Sequence, residues 1–221
     1  MQARMDTERI AELLQPFLNG DALSTVQLNN ISTYIDILIR WNARLNLTSV
    51  RDPEEMVTRH FGESLFAAGL LFPVNSDRGP ARLDHLLDIG SGAGFPGLPI
   101  KIWAPELCVT LIESNHKKAA FLREAVRALE LTDVSVFSGR AEEFTGDQQA
   151  SSLVTLRAVE RFDAVLPEVV RLAGHSGMIC LFIGEGQVEQ AEKLAPQVRW
   201  EKAAPIPQSN QRVVLFGYLE A

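Results

Sequence analysis

The chain has 221 residues, 46% of them hydrophobic and 22% charged, with a net charge of −7. That supports one substantial core with an appendage rather than two full domains, and the acidic balance excludes a protein that coats nucleic acid through a generally basic surface while leaving room for a local basic groove. No apolar run approaches the roughly 20 residues needed to span a bilayer and "MQARMDTERI" lacks the apolar segment of a secretory signal, so a cytoplasmic chain without membrane association is expected.

From residue 1 to about residue 72 the signals are helical. Ser24 and Gln27 in "STVQ" form a capping box ahead of Leu28, Ile31, Ile35 and Leu38 at helical spacing. In "DPEE", Asp52 caps a further helix, Pro53 suits its first position, and Glu54 and Glu55 favour the positive end of its dipole. "PVNSDRGPAR", residues 73–82, reads as a linker between this N-terminal helical extension (1–72) and a second unit (83–221).

Beyond the linker the pattern becomes strand, turn, helix, repeated. "LDHLLDI", "LCVTLIE", "VSVF", "LVTL" and "GMICLFI" are apolar strands, with helical stretches such as "KKAAFLREAVRALE" between several of them. Such alternation predicts parallel strands joined by right-handed crossovers. "RVVLFGYL" follows "PIPQSNQ" as a last strand entered by a hairpin, hence antiparallel. Cys108 and Cys180 lie in apolar strand-like runs and read as buried, reduced thiols; no metal site is expected.

The turn after the first of these strands, "LLDIGSGAGFPG", matches two templates. Gly92, Gly94 and Gly97 fit the dinucleotide-binding G-x-G-x-x-G, while Asp88, Gly90, Gly92 and Gly94 fit the D-x-G-x-G-x-G of methyl-donor-binding turns. A dinucleotide places its pyrophosphate on free N–H groups at a helix start, but Pro96 and Pro99 delay that start and each removes a donor. Asp88 would repel a pyrophosphate, yet suits the cationic, amino-bearing end of S-adenosyl-L-methionine, directly or through water. Glu113, ending the second strand, is placed to accept both ribose hydroxyls, a role that NAD would serve equally. Together the two carboxylates favour the methyl donor. The predicted fold class is α/β: a class I S-adenosylmethionine-dependent methyltransferase, Rossmann-like and mostly parallel with an antiparallel last strand, plus the helical extension.

The segment "WNARLNLTSVRDPEEMVTRHFGES" gathers Arg44, Arg51, Arg59 and His60 in an otherwise acidic chain. Alone it reads as a solvated helix face. With "LLDIGSGAGFPGLPI", "TLIESNHKKAAFLR", "SGRAEEF" and "LRAV", however, it resembles the bacterial 16S ribosomal RNA guanine-N7 methyltransferase family, also called glucose-inhibited division protein B, from about residue 25 to 185, with order and spacing kept. The resemblance implies that Gly90 and Phe95 contact the cofactor, that Ala141 and Glu142 frame the adenosine, and that Arg157 closes the site. Arg51, Arg59, His60, Lys117, Lys118, Arg140 and Arg157 are expected to form a local basic rim around the site despite the acidic total, facing 16S rRNA in the context of the small ribosomal subunit, with the chain acting as a monomer. The chain departs from the family pattern at Ser151 and Ser152, where an aspartate is usual; at "GEG", where lysine–glycine is usual; and at Phe95, where leucine is common.

Guanine N7 carries an in-plane lone pair and no proton, so no catalytic base is assigned, and the chain has no N/D-P-P-Y/F cluster after the fourth strand. Three other readings stay open at this point: a NAD-dependent oxidoreductase, a non-catalytic ribosome-assembly module stabilised by the cofactor, and a small-molecule methyltransferase.

Overall fold

The computed structural model describes residues 4–73, 83–145, 152–158 and 161–219. Helix α1 (Thr7–Leu14) starts at Asp6, whose side chain accepts from Glu8 N. Helix α2 (Thr25–Leu45) begins with the predicted capping box: Ser24 Oγ accepts from Gln27 N at 3.3 Å and Gln27 Oε1 from Ser24 N at 2.8 Å. Asp52 Oδ1 accepts from Glu55 N at 2.8 Å and so caps α3 (Pro53–Met56), which runs through a π-helical segment, Val57–Gly62, into α4 (Glu63–Leu71). Such wide turns inside helices concentrate at functional sites. Of the predicted linker, residues 74–82 lie outside the described residues.

The remaining elements are β1 (His85–Ile89), α5 (Gly97–Trp103), β2 (Cys108–Ile112), α6 (His116–Ala128), β3 (Val134–Phe137), β4 (Ser152–Arg157), α7 (Phe162–Ala173), β5 (Met178–Gly184), α8 (Val188–Leu194), β6 (Arg199–Trp200), β7 (Ala204–Pro205) and β8 (Arg212–Tyr218). The described strands form one sheet in the order β3-β2-β1-β4-β5-β8-β6, with β7 also on β8. β1 to β5 are parallel and β8 is antiparallel to β5, reached through a β7–β8 hairpin in which Ile206 N donates to Arg212 O at 3.1 Å.

Strand alternation sorts the core onto two faces. Leu86, Leu153, Cys180 and Val214 face α5, α6 and the N-terminal helices, in one continuous cluster with Ile10, Tyr34, Phe61 and Leu65. Leu87, Val154, Ile179 and Leu215 face α7 and α8. The helical extension therefore shares its core with the sheet, and each large side chain buried there contributes about 1.5–3 kcal/mol. One expectation is corrected: Cys180 is buried, but Cys108 is exposed, because it opens β2 at the strand's outer end, before the burial begins.

Candidate functional site

β1 lies between β2 and β4, so the chain's winding reverses there, and in open sheets of this kind ligands bind outside the carboxyl ends of the strands at such a point. The glycine turn fills this position. Gly90, Gly92 and Gly94 have φ of +66°, +56° and +85°, a region that side chains disfavour. They serve two purposes. A Cβ on Gly90 would meet nothing within 4 Å and one on Gly92 only Gly90 O at 3.7 Å, so this backbone is open to a ligand. A Cβ on Gly94 would run into Tyr34 Oη, and one on Gly97 would lie 2.7 Å from Leu111 and 2.8 Å from Asp88 Oδ2; these two glycines allow packing.

Asp88 is fully buried beneath the turn. Its Oδ1 accepts from Thr155 Oγ1 at 2.7 Å and its Oδ2 from Gly97 N at 3.3 Å, so the carboxylate joins β1, β4 and the first residue of α5. Burial pushes its pKa up to about 6, against the pull of these hydrogen bonds and the more distant Arg157. A helix start already held by a carboxylate from inside is poor ground for a pyrophosphate. Glu113 follows β2; its Oε2 accepts from Gly92 N at 2.9 Å and its Oε1 from Asn115 N at 2.7 Å. Each oxygen keeps a second lone pair, so the carboxylate can brace the turn and still accept from a hydroxyl.

The extension grips the turn from the other side. Tyr34, fully buried on α2, donates to Ala93 O at 2.5 Å. Phe95 stacks on Tyr34 (centroids 5.4 Å, planes 5° apart) and on His60 (4.8 Å, 25°), with Phe61 edge-on at 5.1 Å. Phe95 thus couples the turn to α2 and the π-helical segment. Burial, with Arg157, Arg59 and Arg212 nearby, pushes His60 down to about 3, so the imidazole is neutral. Its Nε2 is 2.8 Å from Thr48 Oγ1.

On β4, alternation turns Arg157 to the same face as Asp88 and Thr155, toward α4. Arg157 Nη2 donates to Arg59 O at 2.6 Å and to Glu63 Oε2 at 2.9 Å. From β8, Arg212 Nη2 approaches Glu63 Oε1 at 2.8 Å. One buried carboxylate therefore joins two guanidiniums. Desolvation outweighs Glu63 in lowering the pKa of Arg157, which nonetheless stays protonated at any working pH.

The remaining candidates are dispersed. Ala141 and Glu142 form a 3₁₀ turn after β3, the Ala141 carbonyl accepting from Arg171 Nη2 at 3.1 Å, and Arg140 precedes it with an exposed side chain. Lys117 and Lys118 open α6, their N–H groups capped by Asn115 Oδ1. Arg51 donates to Asn42 O and Asn46 Oδ1, closing the end of α2, and Arg59 pairs with Glu55 at 3.2 Å. Of the expected rim, Arg157 thus meets Glu63, the Arg59 carbonyl and the edge of His60, while the Arg59 side chain turns to Glu55 and Arg51, Arg140 and the two lysines stand on separate elements. Tyr34, Glu63, Thr155 and Arg212 were absent from the sequence-based set; the signal for Glu63 was a carboxylate within the apolar run "HFGESLFAAGLL".

Among known proteins, the family model GidB, rRNA small subunit methyltransferase G, matches residues 27–211. A relative from Roseiflexus castenholzii, named ribosomal RNA small subunit methyltransferase G, is 48% identical over 143 residues, 63% of this chain and 58% of its own length. A protein of the same name from Desulfitobacterium hafniense is 39% identical over 173 residues, 77% of this chain and 68% of its own. The chain thus spans little more than half the length of the first relative and about two thirds of the second. A solved SAM-dependent methyltransferase from Aquifex aeolicus matches with a TM-score of 0.58 at 15% identity, covering 79% of this chain and 97% of its own. That likeness shows the fold.

Proposed function

Because the chain belongs to the GidB family of rRNA small subunit methyltransferase G proteins, we propose that it transfers a methyl group from S-adenosyl-L-methionine to N7 of a guanine in 16S rRNA. The observation that carries this reading is the turn itself: open backbone at Gly90 and Gly92, braced by Glu113 and closed beneath by Asp88. These residues fit the donor. Gly90 and Gly92 leave open backbone for it, Glu113 has acceptor capacity for its ribose, and Ala141 and Glu142, in the turn after β3, would meet its adenine. Asp88 serves it from below, as support for the turn.

When bound, the donor supplies an electrophilic methyl carbon on a sulfonium; the carbon–sulfur bond breaks as the bond to N7 forms, and the positive charge passes to the base. N7 has no proton to lose. Nothing in the site then needs to act as a base, and Glu63, tied to two guanidiniums, is not one. The protein's part is orientation, which is worth several kcal/mol when two reactants are held in line. Arg157 is fixed by Arg59 O and Glu63 at the rim of β4, where it can hold substrate without approaching the nitrogen that becomes cationic. The small ribosomal subunit is the substrate's context, and the cytoplasm the matching location; no helix among the described residues is long and apolar enough to cross a membrane.

The test is to incubate the protein with methyl-labelled donor and small subunits lacking the modification, then map the label. One 7-methylguanine in 16S rRNA is expected. Donor binding without transfer would favour the assembly-module reading, and label on protein or on a small molecule would refute the RNA assignment.

A further inference from the structure

At the ends of β4 and β5 a cavity of about 220 Å³ opens among Arg59, Glu63, Arg157, Phe182, Gln187 and Arg212. Arg157 and Arg212 share the one carboxylate of Glu63, Arg59 is paired with Glu55, and the neighbouring His60 is neutral, so the cavity is cationic. Glu63 lies within ion-pair distance of both Arg157 and Arg212, yet among the described residues Arg157 Nη1 and Arg212 Nε are buried without a hydrogen-bond acceptor, and Glu63 Oε1, 2.8 Å from Arg212 Nη2, meets it as an ion pair without a hydrogen bond. Buried donors on charged groups are costly to leave unmatched, so two of them on the walls of one cavity point to an anionic acceptor.

Two arguments select the anion. The guanidiniums approach from different strands, Arg157 from β4 and Arg212 from β8 opposite Gly184 of β5, and Glu63 already supplies the one carboxylate between them, so the unmatched Arg157 Nη1 and Arg212 Nε call for a second group with several oxygens. A tetrahedral phosphate offers oxygens to both. The target guanine is the wrong occupant, because N7 methylation leaves it cationic among cations. Arg157 is the inner wall, its side chain 12% exposed, and Arg212 the outer one at 38%, so the cavity opens to solvent where a strand can pass.

We propose that this cavity takes one phosphodiester of the substrate RNA, with Arg212 as a positioning residue that holds the strand while the target base lies by the glycine turn. This rests on the RNA reading above.

The test uses the full chain and unmethylated small subunits, measuring subunit binding from about 50 to about 200 mM salt alongside donor binding by calorimetry. Arg212→Gln should weaken subunit binding at least about fivefold at the lower salt and flatten the dependence of log K on log salt by about one phosphate contact, with donor affinity unchanged. Arg212→Lys, which keeps the charge, should retain the wild-type slope. A wild-type slope in Arg212→Gln, or a Lys variant as flat as the Gln variant, overturns the proposal. So does lost donor affinity with subunit binding intact, which would give the cavity to the donor's carboxylate. The proposed reaction fails separately: wild-type protein that binds subunits but transfers no methyl removes the activity and leaves the slopes to be read.

Discussion

The two halves of the sheet's carboxyl edge are built on opposite principles. At β1 and β2, both oxygens of Asp88 and both oxygens of Glu113 have donors within the chain. At β4, β5 and β8, one carboxylate serves two guanidiniums as an ion pair, and Arg157 Nη1, Arg212 Nε and Glu63 Oε1 are left without hydrogen bonds. The first half is rigid and internally matched, and what it offers a ligand is the shape of bare backbone. The second is held together by charge and is incomplete as charge. A cofactor used at every turnover suits a cradle that pays no ordering cost on binding, whereas a polyanion is best met by cations still short of acceptors.

The largest effect should come from removing the centre of the charged half. Glu63→Gln leaves Arg157 and Arg212 facing each other without compensation, and urea denaturation should show a loss of about 3–5 kcal/mol. A loss below about 1 kcal/mol would mean that solvent already screens the two cations and that the halves are less different than the distances imply.

The matched half should separate packing from binding. Gly94→Ala drives a methyl into Tyr34 Oη at a left-handed φ and should cost about 2–4 kcal/mol of stability. Gly90→Ala meets no neighbour, so only the backbone penalty of about 1–2 kcal/mol is expected. Its donor affinity should nevertheless fall at least about tenfold by calorimetry. Equal stability losses, or unchanged donor affinity in the Gly90 variant, would collapse the distinction between the glycines.

The smallest effect is on pH dependence, where the halves pull in opposite directions. His60 titrates at about 3 rather than its ordinary 6.5, so its contribution to stability is complete above pH 6.5 and is lost as pH falls toward 3. Asp88 titrates at about 6 rather than 3.8, so its contribution is complete below pH 3.8 and is lost as pH rises through 6. Between these limits the two partly cancel. His60→Gln should tilt the profile, so that acidification from about pH 6 to about pH 4 stabilises the variant relative to wild type. Parallel profiles would show that another group sets the slope.

What was legible in the sequence was local. Caps at Ser24 and Asp52 depend on neighbours three residues away, and the glycine turn and its two carboxylates declare themselves by spacing and strand position. What was hidden depends on distant pairing. Arg51 and Arg157 are alike in sequence, yet one finishes a helix and the other enters a buried ion pair. Tyr34 lies among Ile31, Ile35 and Leu38 on one apolar helix face, and only the fold reveals that its hydroxyl ends at Ala93. Arg212 opens an apolar strand and gains its place from the antiparallel register opposite Gly184.

The wide-wound stretch Val57–Gly62 works as an angular gauge. Tightening it to ordinary α winding at unchanged length would swing everything downstream by roughly 100°, about one residue's turn. Most of α4 would not notice, because Leu65, Phe66, Ala67, Ala68 and Leu71 are apolar and buried around nearly its whole circumference. Glu63 would notice, since it alone on that helix has a fixed address, facing Arg157 and Arg212. The wide winding is therefore what aims Glu63, and a substitution that tightens it should break both ion pairs while sparing the apolar packing of α4.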